Sequence, residues 1–396
     1  IWDTSGKKYV DFHAAFAPHF LGHNNQEVNS AVIETINGGK SLFGSGPVDL
    51  EGELAALLCE EIDPVEKVTF LNTGSEATAL AVKISRAATG REHFIVMQGG
   101  YNGNTDEVAC NVFNTISEIG PKVSPGEYPI CPLGGGTLIQ SQRFVHVVNY
   151  NDLDSVRYVC QRYPVAAVLT EPVLQNIGVV RPHKDYLQGL RALADELGFL
   201  LIIDEVKTGF RQGLGGYSSI AKIFPDLVTY GKAVANGYPI GVLGGKAKYM
   251  DQIVAHDVSR TPMLPGTYNR HPVGVAAPIA TVNILKHRGE QKSTHLEKLG
   301  AMAQRGLEEA FTKNGVPGVV ARVGSAFSFY FMDHCPTDFH DLLLGHDFDK
   351  DLKVRQKMIE SGFYFVPVAT KQCSISASHT EEDIELMVEK FDESIS

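Results

Sequence analysis

Between residues 67 and 230, apolar runs of strand length alternate with amphipathic segments of helix length, and this rhythm restricts the fold more than any other feature. "KVTFLN" (67–72) reads as a strand, and 75–89 as a helix with Ala77, Leu80, Ala81, Ile84 and Ala88 on one face. "HFIVMQ" and "VAAVLTEP" (165–172) read as strands, "KDYLQGLRALADELG" as a helix closed by Gly198, and "FLLIIDEV" and "DLVTYG" as strands again. "FLLIIDEV" shows no polar alternation, which predicts burial on both faces. The order predicts an α/β fold, a mostly parallel sheet flanked by helices.

The flanks differ. "WDTSGKKYVDF" predicts two short strands around a Ser-Gly turn, and "NNQEVNSAVIETING" a helix ending at Gly38-Gly39. From about Thr294 a helix precedes the strands "AFSFYFMD", "FYFVPV" and "CSISAS", and the helix "TEEDIELMVEKFDESI" follows. That is a smaller α+β lobe. The expected organisation is an N-terminal segment (1–40) joining the small lobe, a large ligand-binding domain (41–290) and a small C-terminal α+β domain (291–396). A chain of 396 residues suits two or three units.

Charge excludes some functions. A formal net charge of −11 argues against a nucleic-acid partner, which calls for a basic face. No basic run marks a membrane surface, and apolar stretches such as "GFLLII" (198–203) are too short to cross a bilayer. No signal peptide is visible, and the opening "IWDTSGKKYVDF" leaves room for residues upstream. Six cysteines without C-x-x-C spacing predict reduced thiols and a cytoplasmic protein.

Three short motifs carry chemistry. "NTGSEAT" (72–78) follows a strand and opens a helix, where free N–H groups and the dipole favour a phosphate. Gly74 permits close approach and Ser75 offers a hydroxyl; an ordinary N-cap would read the same way. "IIDEV" (202–206) ends a buried strand on acids, so Asp204 faces the ligand crevice at a parallel sheet's carboxyl edge or serves as a cap or internal ion pair. "TYGKAVANGYPIG" (229–241) sets Lys232 among small apolar neighbours, where burial would free its amine for attack on a carbonyl; a snorkelling lysine is the ordinary alternative. Together they match the needs of pyridoxal 5'-phosphate: an amine for the aldehyde, an acid for the ring nitrogen and a helix end for the phosphate. No H-E-x-x-H or similar spacing suggests a metal, and His13, His19 and His23 fit packing and capping better than ligation.

From "DFHAAFAPHFLGH" through "SLFGSGPVDLEGELA", "NTGSEAT", "YNDL", "EPVLQNIGVV", "IIDEVKTGFR", "GKAVANGYPIG" and "GTYNRHP" to "SASHTEEDIE", the chain resembles the class III aminotransferases of the fold type I pyridoxal-phosphate enzymes. The pattern is nearest to their glutamate-1-semialdehyde aminomutase branch. By position, the resemblance makes Lys232 the Schiff-base lysine and proton shuttle and Asp204 the partner of the ring nitrogen. Val206 would pack on one ring face and Tyr101, in "GGYNGN", on the other, Gly74 and Ser75 would hold the phosphate, and Glu171 and Asn176 would line the cofactor side. Thr267 would reach the neighbouring subunit's phosphate in a homodimer.

The chain also departs from that pattern. Asn269-Arg270-His271 stands where Ser-Gly-Asn is usual, so Arg270 either reads a substrate anion or pairs with an acid. Ala14-Ala15-Phe16-Ala17-Pro18 replaces Gly-Ser-Trp-Gly-Pro; Phe16 keeps an aromatic pocket wall without the indole donor. Lys371 stands where aminomutases carry an acid, and the loop from Asn111 to Thr137 is unlike their gating segment. The arginine that reads the substrate carboxylate in that branch would precede Ile1. These departures imply a transaminase moving an amino group from a donor amine or amino acid to an aldehyde or keto acceptor, free or carrier-bound. The rivals are a 2,1-aminomutase and a cofactor-binding sensor without turnover.

Overall fold

A computed structural model describes residues 1–63, 65–254, 257, 259, 261–263 and 265–396. Its strands are β1 (Val10–Asp11), β2 (Lys67–Leu71), β3 (His93–Met97), β4 (Val145–Val148), β5 (Val165–Thr170), β6 (Leu200–Asp204), β7 (Leu227–Tyr230), β8 (Gly241–Gly245), β9 (Val319–Val323), β10 (Ala326–Tyr330), β11 (Phe363–Tyr364) and β12 (Cys373–Ser374). Seven form one sheet in the order β2-β8-β7-β6-β5-β3-β4. Only β8 runs antiparallel to its neighbours, β2 and β7. Every residue of β5 and β6 is buried, as the unbroken apolar runs require of central strands covered on both faces. The carboxyl ends of β2, β3, β5, β6 and β7 therefore share one edge, and the candidate residues follow those ends.

The C-terminal lobe carries the antiparallel sheet β12-β10-β9. The N-terminal segment joins it: β1 pairs in parallel with β11, Val10 opposite Phe363. "WDTSGKKYVDF" forms one short strand and not two. Asp3 accepts the amides of Ser5 and Lys7, closing a tight turn that leaves only a Trp2–Lys8 bridge before β1. The span from Pro272 to Lys313 is two helices that meet at Arg288, whose dihedrals are non-helical (φ −132°, ψ 15°), so the helix expected from about Thr294 begins a few residues earlier, just past that break. Proline in the first turn is compatible with a helix start, because its missing N–H is unneeded there.

A buried ion pair organises the C-terminal lobe. Asp351 accepts from Arg355 Nε at 2.6 Å and from the Thr370 amide at 2.6 Å, and contacts His346 Nε2 at 3.1 Å. Arg355 donates in turn to the Lys371 carbonyl at 2.8 Å. Burial alone would raise the Asp351 pKa; the Arg355 charge and these hydrogen bonds hold it below the ordinary value. Asp351→Ala leaves Arg355 buried without its counter-charge and is expected to cost about 3–5 kcal/mol in urea unfolding at neutral pH. Because the folded-state pKa is depressed, this contribution is present above the unfolded pKa of Asp and is lost as pH falls through the folded one. The gap between wild type and variant is therefore expected to narrow in acid.

Candidate active site

Backbone constraints bring the site together. The helix Gly74–Thr89 starts on a capping box: Thr73 accepts the Glu76 amide at 3.2 Å, and the Glu76 carboxylate takes the amides of Thr73 (3.0 Å) and Asn72 (2.7 Å). The amides of Gly74 and Ser75 are left without an acceptor among the described residues, at the end where a helix favours anions. A Cβ on Gly74 would lie 2.8 Å from both methyl groups of Val206, and one on Gly241 would lie 2.0 Å from the Thr73 carbonyl oxygen. Both glycines are required by close approach of these neighbours.

Asp204 ends β6 and is buried. It accepts from Asn102 Nδ2 at 2.9 Å, the Val206 amide at 3.0 Å and Thr229 Oγ1 at 2.9 Å. Burial nevertheless raises its pKa, the sign of a carboxylate short of positive charge. Lys232 lies just past β7, beyond an extended Gly231, with φ +47°. Its amine makes no hydrogen bond among the described residues. Burial lowers its pKa, opposed by the charges of Asp204 and Glu171. Glu171, after β5, accepts the amides of Tyr101 (2.9 Å) and Gln175 (3.1 Å), and burial pushes its pKa up to about 7.

These residues meet in a cavity of about 660 Å³, lined by Phe16, Gly74, Ser75, Tyr101, Glu171, Asn176, Asp204, Val206 and Lys232. Such a volume suits a small-molecule site. Thr267 and Arg270 stand outside it in a single chain. They line a separate hollow beside Ser45 and Leu71; Thr267 is exposed, and Arg270 lies 3.5 Å from Glu51. Asn72 Nδ2, in the cavity wall, donates to Asn269 Oδ1 at 3.0 Å and so links the two regions. His19 packs on His23, His23 contacts Asp11 at 2.7 Å, and His13 packs on Phe16. No metal-sized cluster of His, Cys, Asp and Glu occurs among the described residues.

Sequence alone gives Asn102 and Lys207 no role, and Lys371 none in the pocket. Asn102 sits one residue beyond Tyr101, yet only tertiary contact shows it holding Asp204. Lys207 and Lys371 both line the cavity. Their signal was present, in "DEVKTGFR" and in the Lys371 departure, but neither neighbourhood reveals where the side chain points.

The cavity mouth is built from an unusual turn. Ala14, Ala15, Phe16 and Ala17 take φ of +51°, +52°, +66° and +79°, each costing an L-residue about 1–2 kcal/mol. Asp11 holds the turn's start through the amides of His13 (2.8 Å) and Ala14 (3.0 Å). Arg211 holds its end, donating to the Ala17 carbonyl at 3.0 Å and reaching Ser325 Oγ (2.9 Å) and the Ile375 carbonyl (3.2 Å) in the C-terminal lobe.

The sequence profile of the family Aminotransferase class-III matches residues 1–395, and the chain belongs to that family of enzymes. It is 36% identical over 398 residues to a glutamate-1-semialdehyde 2,1-aminomutase of Syntrophomonas wolfei, covering 100% of this chain and 88% of that one. Among solved structures it is similar to an omega-transaminase from Sphaerobacter thermophilus, with 27% identity, a TM-score of 0.89, and coverage of 100% and 88%. A beta-phenylalanine aminotransferase from Variovorax paradoxus gives 27% identity, a TM-score of 0.81, and coverage of 99% and 84%. The architecture is that of fold type I.

Two outcomes follow from this geometry. In protein without cofactor, Asp204→Asn removes the charge that supports protonated Lys232, so the pH midpoint for reductive methylation of Lys232, read by mass spectrometry, is expected to fall by about 1 pH unit. Ala15→Gly relieves left-handed strain at an exposed position, offset in part by glycine's unfolded-state entropy, and is expected to raise unfolding free energy in urea by about 0.5–1 kcal/mol.

Proposed function

We propose that this enzyme uses pyridoxal 5'-phosphate to move an amino group from a donor amine or amino acid to an aldehyde or keto acceptor, in ping-pong half-reactions. The observation that carries this is the meeting, in one cavity, of an amine with a lowered pKa (Lys232), a buried carboxylate (Asp204) and a helix end with unspent amides (Gly74 and Ser75). When bound, the cofactor supplies an aldehyde for the amine and a protonated ring that takes up electrons from the amine-bearing carbon.

Each side chain then has a task. Lys232 would hold the cofactor's aldehyde through its amine, whose pKa burial lowers, and is placed to take up and return a proton beside the substrate's amine-bearing carbon. Asp204, oriented by Asn102 and Thr229, would pair with the ring nitrogen and favour its protonation; a cation there would offset the burial that raises the carboxylate's pKa. Val206 and Tyr101 would pack against the ring, Ser75 and the helix amides would hold the phosphate, and Glu171 and Asn176 would line the remaining side. Thr267 would reach a neighbouring subunit's phosphate in a homodimer, a reading supported by its place outside its own chain's cavity. No helix among the described residues is long and apolar enough to cross a membrane; we take the enzyme to be cytoplasmic, acting on small or carrier-bound substrates.

The aminomutase reading has its own support in the 36% identity to a glutamate-1-semialdehyde 2,1-aminomutase. Lys371 in place of an acid, the different 111–137 loop and the Ala-Ala-Phe-Ala turn favour transfer between two substrates. Incubation with a single amino-aldehyde separates them: an aminomutase turns it over alone, whereas a transaminase needs a second partner. Lys232→Ala is expected to lose the absorbance of the lysine-bound cofactor and to slow amino transfer at least about 1,000-fold. Transfer at the wild-type rate in that variant would refute the assignment.

A further inference from the structure

Two lysines in the cavity have no part in the scheme above. Lys207, in the turn after β6, donates to the Gln175 carbonyl at 2.5 Å. Lys371, on the loop before β12, donates to the Asn176 carbonyl at 2.9 Å and to Asn176 Oδ1 at 2.7 Å, and lies 4.3 Å from the Phe113 ring centroid. All these partners are neutral. Among the described residues no carboxylate comes within 4.0 Å of either ammonium nitrogen. Exposed lysines need no counter-charge, but Lys371 is only 5% exposed, and burial lowers its pKa to about 8. Lys207 is lowered too, by burial and by the repulsion of Lys232 and Lys371. A cation kept in such surroundings calls for an anion.

A second observation marks the same place. With Asn176 Oδ1 turned to Lys371, its Nδ2 is buried with no hydrogen-bond partner, on the wall of the same cavity. An unspent amide donor beside two ammonium groups is a set suited to an acceptor-only, negatively charged group. The charges facing the cavity agree. Lys207, Lys232 and Lys371 oppose Asp204 and Glu171. Once Lys232 and Asp204 are committed to the cofactor, two cations face one carboxylate, and that carboxylate already accepts the amides of Tyr101 and Gln175. The set is also held in place: Arg355, paired with Asp351, fixes the Lys371 backbone.

We propose that Lys207 and Lys371, with Asn176 Nδ2, form an anion subsite that holds a carboxylate of the substrate, so that the enzyme acts on amino acids and keto acids in preference to amines without an acid group. The inference rests on Lys232 being the transfer lysine, since it places the carboxylate in the same cavity as that amine.

Holoenzyme is tested in single half-reactions, followed by cofactor absorbance, with three matched pairs: alanine and 2-aminopropane, 3-aminobutyrate and 2-aminobutane, 4-aminopentanoate and 2-aminopentane. Each pair differs only in a carboxylate against a methyl group. The acid of at least one pair is expected to exceed its partner by about 100-fold in kcat/KM. Lys371→Met and Lys207→Met are each expected to cut that ratio by about 10-fold or more, through KM and not kcat, and Lys371→Arg to restore most of it. A purely tethering role for Lys371 would lower the melting temperature without changing the ratio, and that result overturns the subsite. So does the absence of any acid preference, or a preference that survives both methionine variants. If no compound of either kind changes the absorbance, the transfer reading fails, and the subsite is then judged by calorimetric titration with butyrate. Saturable binding that Lys371→Met loses supports it; no binding, or equal binding in both proteins, overturns it.

Discussion

The opposed charges of Lys232 and Asp204, at the carboxyl edge of one sheet, are the constraint to which the rest of the structure answers. Burial pushes each toward its neutral form, and each charge favours ionisation of the other. Their spacing is not left to flexible loops. β6 and β7 are hydrogen-bonded neighbours with Asp204 opposite Thr229, and Lys232 follows three positions on. The ladder fixes the amine and the carboxylate together, and Thr229 serves both the register and the carboxylate, donating to it directly. Such rigidity suits any site that must set an amine against a carboxylate, because small displacements of reacting groups are costly.

Around that pair, positions held by backbone geometry form the walls. The end of the cavity at the helix start depends on two glycines, one facing Val206 and the other the Thr73 carbonyl, since a methyl group at either would intrude. The mouth depends on the opposite choice, a left-handed turn made of alanines and a phenylalanine. Its strain is offset by Asp11 at one end and by Arg211 at the other, and Arg211 also grips the C-terminal lobe. One buried guanidinium thus ties the N-terminal turn, the sheet edge and the C-terminal lobe into one wall.

The C-terminal lobe contributes charge as well as shape. The Asp351–Arg355 pair is buried where it touches no substrate, yet through the Thr370 amide and the Lys371 carbonyl it sets the loop that carries Lys371 into the cavity. Lys371 thereby adds a cation to a cavity lined also by Lys207 and Lys232, opposite Asp204 and Glu171.

Much of this was readable from the chain itself. The alternation of apolar runs with amphipathic helices determined the sheet, because β5 and β6 must be covered on both faces; Asp204, Lys232 and Gly74 were legible because each lies just past or at a strand end or helix start, where local geometry dictates direction. What the sequence could not supply were meetings across long separations: Asn102 on Asp204, Arg211 on Ala17, Lys371 on Asn176. Nor could it show that Arg270 faces Glu51, outside the cavity of Lys232. Periodicity and turn chemistry are properties of neighbours along the chain, whereas the charge balance inside a cavity is a property of neighbours in space, and only folding brings those together.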